Sequence, residues 1–263
     1  MWHALLRFQR PRTIIQVGAY TGDDSLIEAC RNYGHRLFMF EPNPARAEEL
    51  SRKAAGASTV EVLPIAVSNF NGTATFKIAA HDDCSSLQDF DANAPQAWVH
   101  EWHPYKRFEM VQSFDVEVIR LDTFLAKRGI ASVDLLEVDA QGEDLRVVES
   151  LGDRIGDVRR IQIEVNIHDA PLYANSFTMT DALAFFGKHG FEKHIEWKQS
   201  LNREANVIFR NRRFDRIPMA ARVSAAIEQK ARVAYITSQK LPRVAAVTWM
   251  MLRRKFTGQP ANA

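Results

Sequence analysis

Short apolar runs alternate with amphipathic stretches along the first 210 residues. RTIIQVG, around Thr13-Ile14-Ile15, predicts a buried strand, and DDSLIEACRNYG predicts a helix stopped at Gly34. HRLFMFEP reads as a second strand ended by Pro42. NPARAEELSRKAAG reads as a helix with Asn43 as N-cap and Gly56 at its end. STVEVLPIAVS predicts a third strand. GTATFKIAA alternates, as an antiparallel ribbon or an extension of the sheet does. Residues 80–112 break the rhythm with polar, aromatic, His and Asp residues. FDVEVIRL then resumes as strand, and DTFLAKRG as a helix capped by Asp122. VDLLEVDAQGED predicts strand and turn, EDLRVVESLG a helix, VRRIQIEVN a strand and TMTDALAFFGKHG a helix. FEKHIEWK and EANVIFR close the series as an antiparallel hairpin at a sheet edge. Alternating β and α units predict an α/β fold, a mainly parallel sheet with helices on both faces.

Composition sharpens this picture. The chain of 263 residues is 46% hydrophobic and 25% charged, which suits one globular domain with an appendage. Its net charge of +2 conceals an asymmetry. From Asn211 to Ala263 eleven Lys/Arg face two acids, so the tail holds +9 and the first 210 residues −7. The expected organisation is a catalytic domain over 1–210 and a basic helical extension over 211–263. Two cysteines, Cys30 and Cys84, make neither a metal spacing nor a disulfide framework. No secretory leader or bilayer-spanning run is evident, so the expected compartment is the cytoplasm.

The stretch QVGAYTGDD follows the first strand directly. Ligands of open parallel sheets bind beyond the carboxyl ends of the strands, so this loop sits at the ligand edge. Gly18 and Gly22 allow a tight turn, but Tyr20 stands where a dinucleotide fingerprint expects glycine. Asp23 and Asp24 open the next helix, where acids suit the dipole and repel a pyrophosphate. Glu41, 23 residues after Gly18, ends the second strand where an acid accepts ribose hydroxyls. A ribose acid beside a phosphate-repelling loop points to S-adenosylmethionine, a sulfonium without phosphates.

IIQVGAYTGDDS, FEPNP, AVSNFNGTATF, SSL, LDTFL, VDLLEVDAQGEDLRVVES and IQIEVN occur in order over about residues 12–210. Together they resemble the FkbM family of S-adenosylmethionine-dependent methyltransferases. The resemblance implies a Rossmann-like class I fold with a seven-stranded sheet and, usually, methylation of a hydroxyl oxygen. It implies that Gln16, Gly18, Ala19 and Gly22 form the first cofactor loop. Glu41 would bind the ribose, with Asn43 beside the adenine and Ala66, Val67 and Ser68 bordering it. Asp139 would face the methyl-transfer centre. The chain departs from many relatives at Gln16 (Asp), Tyr20 (Asn), Glu137 (Lys) and Gln141 (Glu).

Methylating a hydroxyl calls for a general base. Asp139, Glu143, Glu164 and His168 lie at strand ends, and Asp139 or His168 is the expected base. Competing structural roles are an N-cap for Asp139, a surface position for His168 and a first-turn acid for Glu143. His81, Asp82, Asp83, His100 and His103 add ligand types without a metal signature, so no metal is assigned. Trp98, Trp102 and Tyr105 fall at helical spacing in the insertion, as an acceptor lid or as a small packed helix. The acceptor is expected to be a small molecule or glycan. The basic tail offers contact with an anionic membrane surface, a protein partner or a second copy of the chain. No nucleic-acid reading motif is present. Methylation of nitrogen or a carboxylate, and a non-catalytic scaffold that keeps the cofactor fold, are the alternatives.

Overall fold

The computed structural model describes residues 12–94, 98 and 108–214. The chain groups into two compact units, Met1–Asp215 and Arg216–Ala263, and the second lies outside the described residues. In chain order the strands are β1 (Thr13–Val17), β2 (Arg36–Phe40), β3 (Val60–Leu63), β4 (Ala66–Val67), β5 (Gly72–Ala79) and β6 (Met110–Ile119). They continue with β7 (Leu135–Val138), β8 (Arg160–Asn166), β9 (Phe191–Gln199) and β10 (Glu204–Asn211). The α-helices are α1 (Asp24–Tyr33), α2 (Pro44–Lys53), α3 (Leu121–Lys127), α4 (Asp144–Glu149) and α5 (Met179–Lys188).

Seven strands form one sheet in the order β3-β2-β1-β7-β8-β10-β9. β1, β2, β3, β7 and β8 pair in parallel, and β10 runs antiparallel to both neighbours. The order grows outward from β1 to β3, then returns to β7 on the other side of β1. That reversal leaves a crevice at the carboxyl ends of β1 and β7. The expected seven-stranded, mainly parallel sheet is therefore present, with its late hairpin at one edge.

Both sheet faces are buried, and alternation along the strands divides them. Ile14, Leu37, Met39 and Leu135 pack with Leu26, Ile27 and Cys30 of α1 and Leu50 of α2. Ile15, Val17, Phe38, Phe40 and Leu136 pack with Phe124 of α3, Val147 and Val148 of α4, and Phe186 of α5. Phe186 also stacks on Phe209 with ring centroids 3.8 Å apart. Burying each such side chain contributes about 1.5–3 kcal/mol.

Three expectations need correction. The run STVEVLPIAVS is two strands, not one. Pro64 has no N–H to give to the ladder, so β3 stops at Leu63. β4 then joins β6 and β5 in a separate three-stranded sheet of order β4-β6-β5. Asp122 does not cap α3; Arg120 holds the N-cap position, and the Asp122 carboxylate bonds Arg120 and the Thr123 amide. Helix α2 stops at Lys53, and Gly56 turns the chain beyond it. Asn43 and Asp23 do cap α2 and α1 through their side chains. Of the insertion, Trp98 is 1% exposed and its Nε1 donates to the Ala170 carbonyl at 3.1 Å. It packs against Phe108, Leu172 and Tyr173, so this tryptophan belongs to the body. Trp102, Tyr105, His100 and His103 lie outside the described residues, as does the tail beyond Phe214.

Candidate active site

Two loops meet at the crevice. The first follows β1, and the second follows β7. Gly18 has φ +72, and a Cβ there would stand 1.9 Å from the Asp139 carbonyl oxygen. Only glycine lets the two loops touch backbone to backbone. The Gly18 and Ala19 amides both donate to the Phe40 carbonyl, at 3.0 and 3.1 Å, which ties the first loop to the tip of β2.

Glu41 lies just past β2 and is 5% exposed. The Tyr20 amide donates to its Oε2 at 2.7 Å, and the Asn43 amide to its Oε1 at 2.9 Å. Each oxygen has one amide partner and retains capacity for another donor. Burial pushes the carboxyl above its ordinary value, while the two amides and the Arg46 guanidinium pull the other way. Tyr20 is held in turn. Its backbone is left-handed at φ +50, and its hydroxyl donates to Asp82 Oδ1 at 3.0 Å. Arg46 sits 4.7 Å from the Tyr20 ring centroid and bonds Asp82 through Nε at 2.7 Å. Burial and the Asp82 bond push the Tyr20 hydroxyl up to about 12.

Two adjoining clefts share Val17, Gly18, Tyr20 and Asp139. The first has a cavity volume of about 60 Å³ and is lined by Glu41, Ile65, Ala66, Val67, Phe76, Gln141 and Glu143. The second, with a cavity volume of about 240 Å³, is lined by Gln16, Ala19, Thr21, Gly22, Glu137 and Gln162. Gln16, Glu137 and Gln162 are register partners across β1, β7 and β8, so they form a polar row on one face. Gln162 Nε2 donates to Glu137 Oε1 at 2.9 Å. Among the described residues the buried Gln16 Oε1 and Gln162 Oε1 have no hydrogen-bond partner, which fits a ligand group that brings N–H donors. No Lys, Arg or His lines either cleft among the described residues.

Asp139 borders both clefts and is open to solvent through their mouths. The enclosing protein raises its carboxyl above the ordinary value; Gln141 opposes this by donating Nε2 to Oδ1 at 2.6 Å, and Asp83 adds to it. Glu143 is committed to structure. It accepts Ser68 Oγ at 2.6 Å, Arg146 Nη1 at 2.5 Å and Gln88 Nε2. Ser86 Oγ donates to the Gln141 carbonyl at 2.6 Å, and Ser85 lines the first cleft.

Several expected site residues come together here: Gln16, Gly18, Ala19, Gly22, Glu41, Ala66 and Asp139 all border the clefts. Asn43 stands one step behind, supporting Glu41 through its backbone and α2 through its side chain. Glu164 and His168 line neither cleft. Glu164 is 8% exposed, and burial beside Glu204, Asp139 and Asp144 raises it well above the ordinary range. His168 Nδ1 accepts the Ala170 amide at 3.1 Å and faces Arg203 Nη1 at 3.2 Å. The His168 side chain lies exposed in the loop beyond β8. Of Asp139, Glu164 and His168, only Asp139 borders the clefts.

Asp144 is the buried acid that the sequence reading missed. It is 1% exposed, accepts the Glu164 amide at 3.2 Å, and is pushed up to about 8, chiefly by burial and then by Asp139. Its place directly after Glu143 in a first helical turn carries no local sign of that burial. The polar row was also missed, although one polar residue at the same place in three buried strands was a usable signal.

The methyltransferase FkbM domain model matches residues 16–193. The 2-O-methyltransferase NoeI of Sinorhizobium fredii (strain NBRC 101917 / NGR234) is 24% identical over 199 residues, covering 75% of this chain and 79% of that protein. A TehB-like SAM-dependent methyltransferase from Corynebacterium glutamicum aligns in structure at TM-score 0.40 and 10% identity, covering 80% of this chain and 86% of that one. The METTL16 methyltransferase domain aligns at TM-score 0.45 and 9% identity, covering 80% and 65%.

Proposed function

The chain belongs to the methyltransferase FkbM family, and from that premise we propose that it methylates a hydroxyl of a sugar, glycan or secondary metabolite, using S-adenosylmethionine. The observation that carries the reading is the doubly held Glu41 lining one cleft together with Asp139. The cofactor supplies an electrophilic methyl group on a sulfonium.

The residues present suit that cofactor. Glu41 offers one acceptor on each oxygen to a ribose diol. Ile65, Ala66 and Val67 give the apolar wall an adenine needs. The Gln16 and Gln162 oxygens suit an ammonium group. The acidic and neutral lining among the described residues suits a cationic, phosphate-free ligand.

Asp139 is the residue we assign as proton acceptor. It stands where both clefts open, so an acceptor hydroxyl can approach from solvent. Its raised pKa brings it nearer the operating pH and makes it a better base than an ordinary aspartate. The clefts hold the reactants in line, a contribution worth up to about 7–11 kcal/mol of barrier in well-oriented systems. The relative named as a 2-O-methyltransferase supports an oxygen acceptor.

The test uses methyl-labelled cofactor with a cell extract, followed by mass spectrometry to find what gains the label. With that acceptor in hand, Asp139→Asn should lower turnover about 10²–10⁴-fold while cofactor affinity by calorimetry stays within about threefold. Parental turnover in this variant removes Asp139 from the chemistry. Label on nitrogen or a carboxylate overturns the hydroxyl assignment.

A further inference from the structure

Asp139 is tied to a buried tyrosine through one side chain. Gln141 has a left-handed backbone at φ +51, a conformation uncommon outside glycine. Its side chain and carbonyl make three bonds of 2.6 Å: from Ser86 Oγ to its carbonyl, from the Tyr173 hydroxyl to its Oε1, and from its Nε2 to Asp139 Oδ1. Tyr173 is 2% exposed and stacks on Phe90 with ring centroids 5.4 Å apart. A Cβ on Gly142 would stand 2.8 Å from the Tyr173 Cβ, so the loop packs closely on this tyrosine. The Tyr173 hydroxyl has a second acceptor, the Cys84 carbonyl, at 2.9 Å.

We propose that Gln141 is a positioning residue that keeps Asp139 oriented in both of its protonation states. The proposal rests on Asp139 being the proton acceptor. While Asp139 is ionised, Gln141 donates to it and Tyr173 donates to Gln141. When an acceptor hydroxyl gives up its proton, one O–H bond breaks there and one forms on Asp139. The new Asp139 O–H then needs an acceptor. A half-turn of the Gln141 amide presents Oε1 to Asp139 and Nε2 to the Tyr173 oxygen, while the Tyr173 hydrogen passes to the Cys84 carbonyl. Asp139, the Gln141 oxygen and the buried Tyr173 hydroxyl each keep a partner before and after. Gln141 and Tyr173 keep their own protons throughout.

The surroundings make this bond matter. Asp83 from the turn at 82–84, Asp144 from α4, Glu164 from β8 and Tyr173 all face Asp139, and Tyr20, Glu41 and Glu143 line the same cleft. With no base among the described lining residues, the Gln141 bond is the protein contact that favours the carboxylate over its protonated form.

The test is a carbon-13 side-chain NMR titration of Asp139 in the full chain, its signal assigned with Asp139→Asn. Gln141→Asn keeps an amide and suits the left-handed backbone, but is one methylene short. It should raise the Asp139 midpoint by about one pH unit. Tyr173→Phe frees the amide and should raise the midpoint by less. Gln141→Glu sets a second carboxyl against Asp139 and should split its titration into two steps. Unshifted midpoints in folded Gln141→Asn and Tyr173→Phe overturn the proposal. If either fails to fold, Gln141→Glu decides, and a single unshifted step there overturns it equally. Parental turnover in Asp139→Asn would instead remove the base assignment while leaving the titration result standing.

Discussion

The loops after β1 and β7 share a plan and differ in their materials. Each places a non-glycine residue in the left-handed region next to a close approach: Tyr20 at φ +50 and Gln141 at φ +51. Around the first loop, backbone amides do the holding. The Gly18 and Ala19 amides secure Phe40, and the Tyr20 amide secures Glu41. Around the second, side chains do it, in the run Ser86, Gln141, Tyr173 and Asp139. Backbone dipoles cannot change protonation, so the first loop presents a fixed surface suited to binding. Carboxyls whose ionisation is moved by their surroundings can exchange protons, so the second suits chemistry.

The largest effect is expected where the loops touch. Gly18→Ala puts a methyl into the Asp139 carbonyl and a side chain at positive φ, so denaturant unfolding should show a loss of about 3 kcal/mol or more. Gly142→Ala meets the Tyr173 side chain, not backbone, and should cost less. Equal losses would mean that backbone contact is not what distinguishes the first loop.

Next comes Glu41, the proposed ribose acid. Glu41→Ala should weaken cofactor binding about 10–100-fold by calorimetry, as expected for lost bonds to a charged group. A change of less than about twofold would remove Glu41 from the binding surface.

The pH dependence of stability separates the loops from another side. Asp144 is pushed up to about 8, well above the aspartate value of about 3.9 in an unfolded chain. The folded state holds the extra proton between these values. The benefit of the protonated form is therefore complete below about pH 3.9 and lost as pH rises towards 8, by at most about 1.4 kcal/mol per pH unit. Urea unfolding at several pH values should show that decline, and Asp144→Asn should flatten it. A slope unchanged in the variant would locate the titration elsewhere.

The smallest effect belongs to the surface clamp over the first loop. The Arg46 and Asp82 side chains are 28% and 33% exposed, so solvent screens their pair to within about 1 kcal/mol. Asp82→Asn should lower cofactor affinity by about threefold at low salt and by less at high salt. A salt-independent loss would point to the Tyr20 hydroxyl bond instead of charge.

The element order, the parallel sheet and the placing of Gly18, Glu41 and Asp139 at one sheet edge were legible in the residue pattern. Periodicity, caps at Asp23 and Asn43, and the ordered motifs are local properties, and local chemistry fixes them. Pro64 could have divided the third strand on the same grounds. The choice among Asp139, Glu164 and His168 was not legible, because all three lie near strand ends at suitable spacing. What separates them is which cleft a side chain reaches and which donors reach it. The link from Tyr173 through Gln141 to Asp139 spans 34 residues of chain, with Tyr173 brought in from beyond β8. Likewise Asp144 differs from its neighbour Glu143 through burial against β8, not through residue type. A sequence specifies which groups exist and in what order. Folding decides which are dry, which are paired and which share a proton, because desolvation and hydrogen bonding depend on distances the linear chain does not contain.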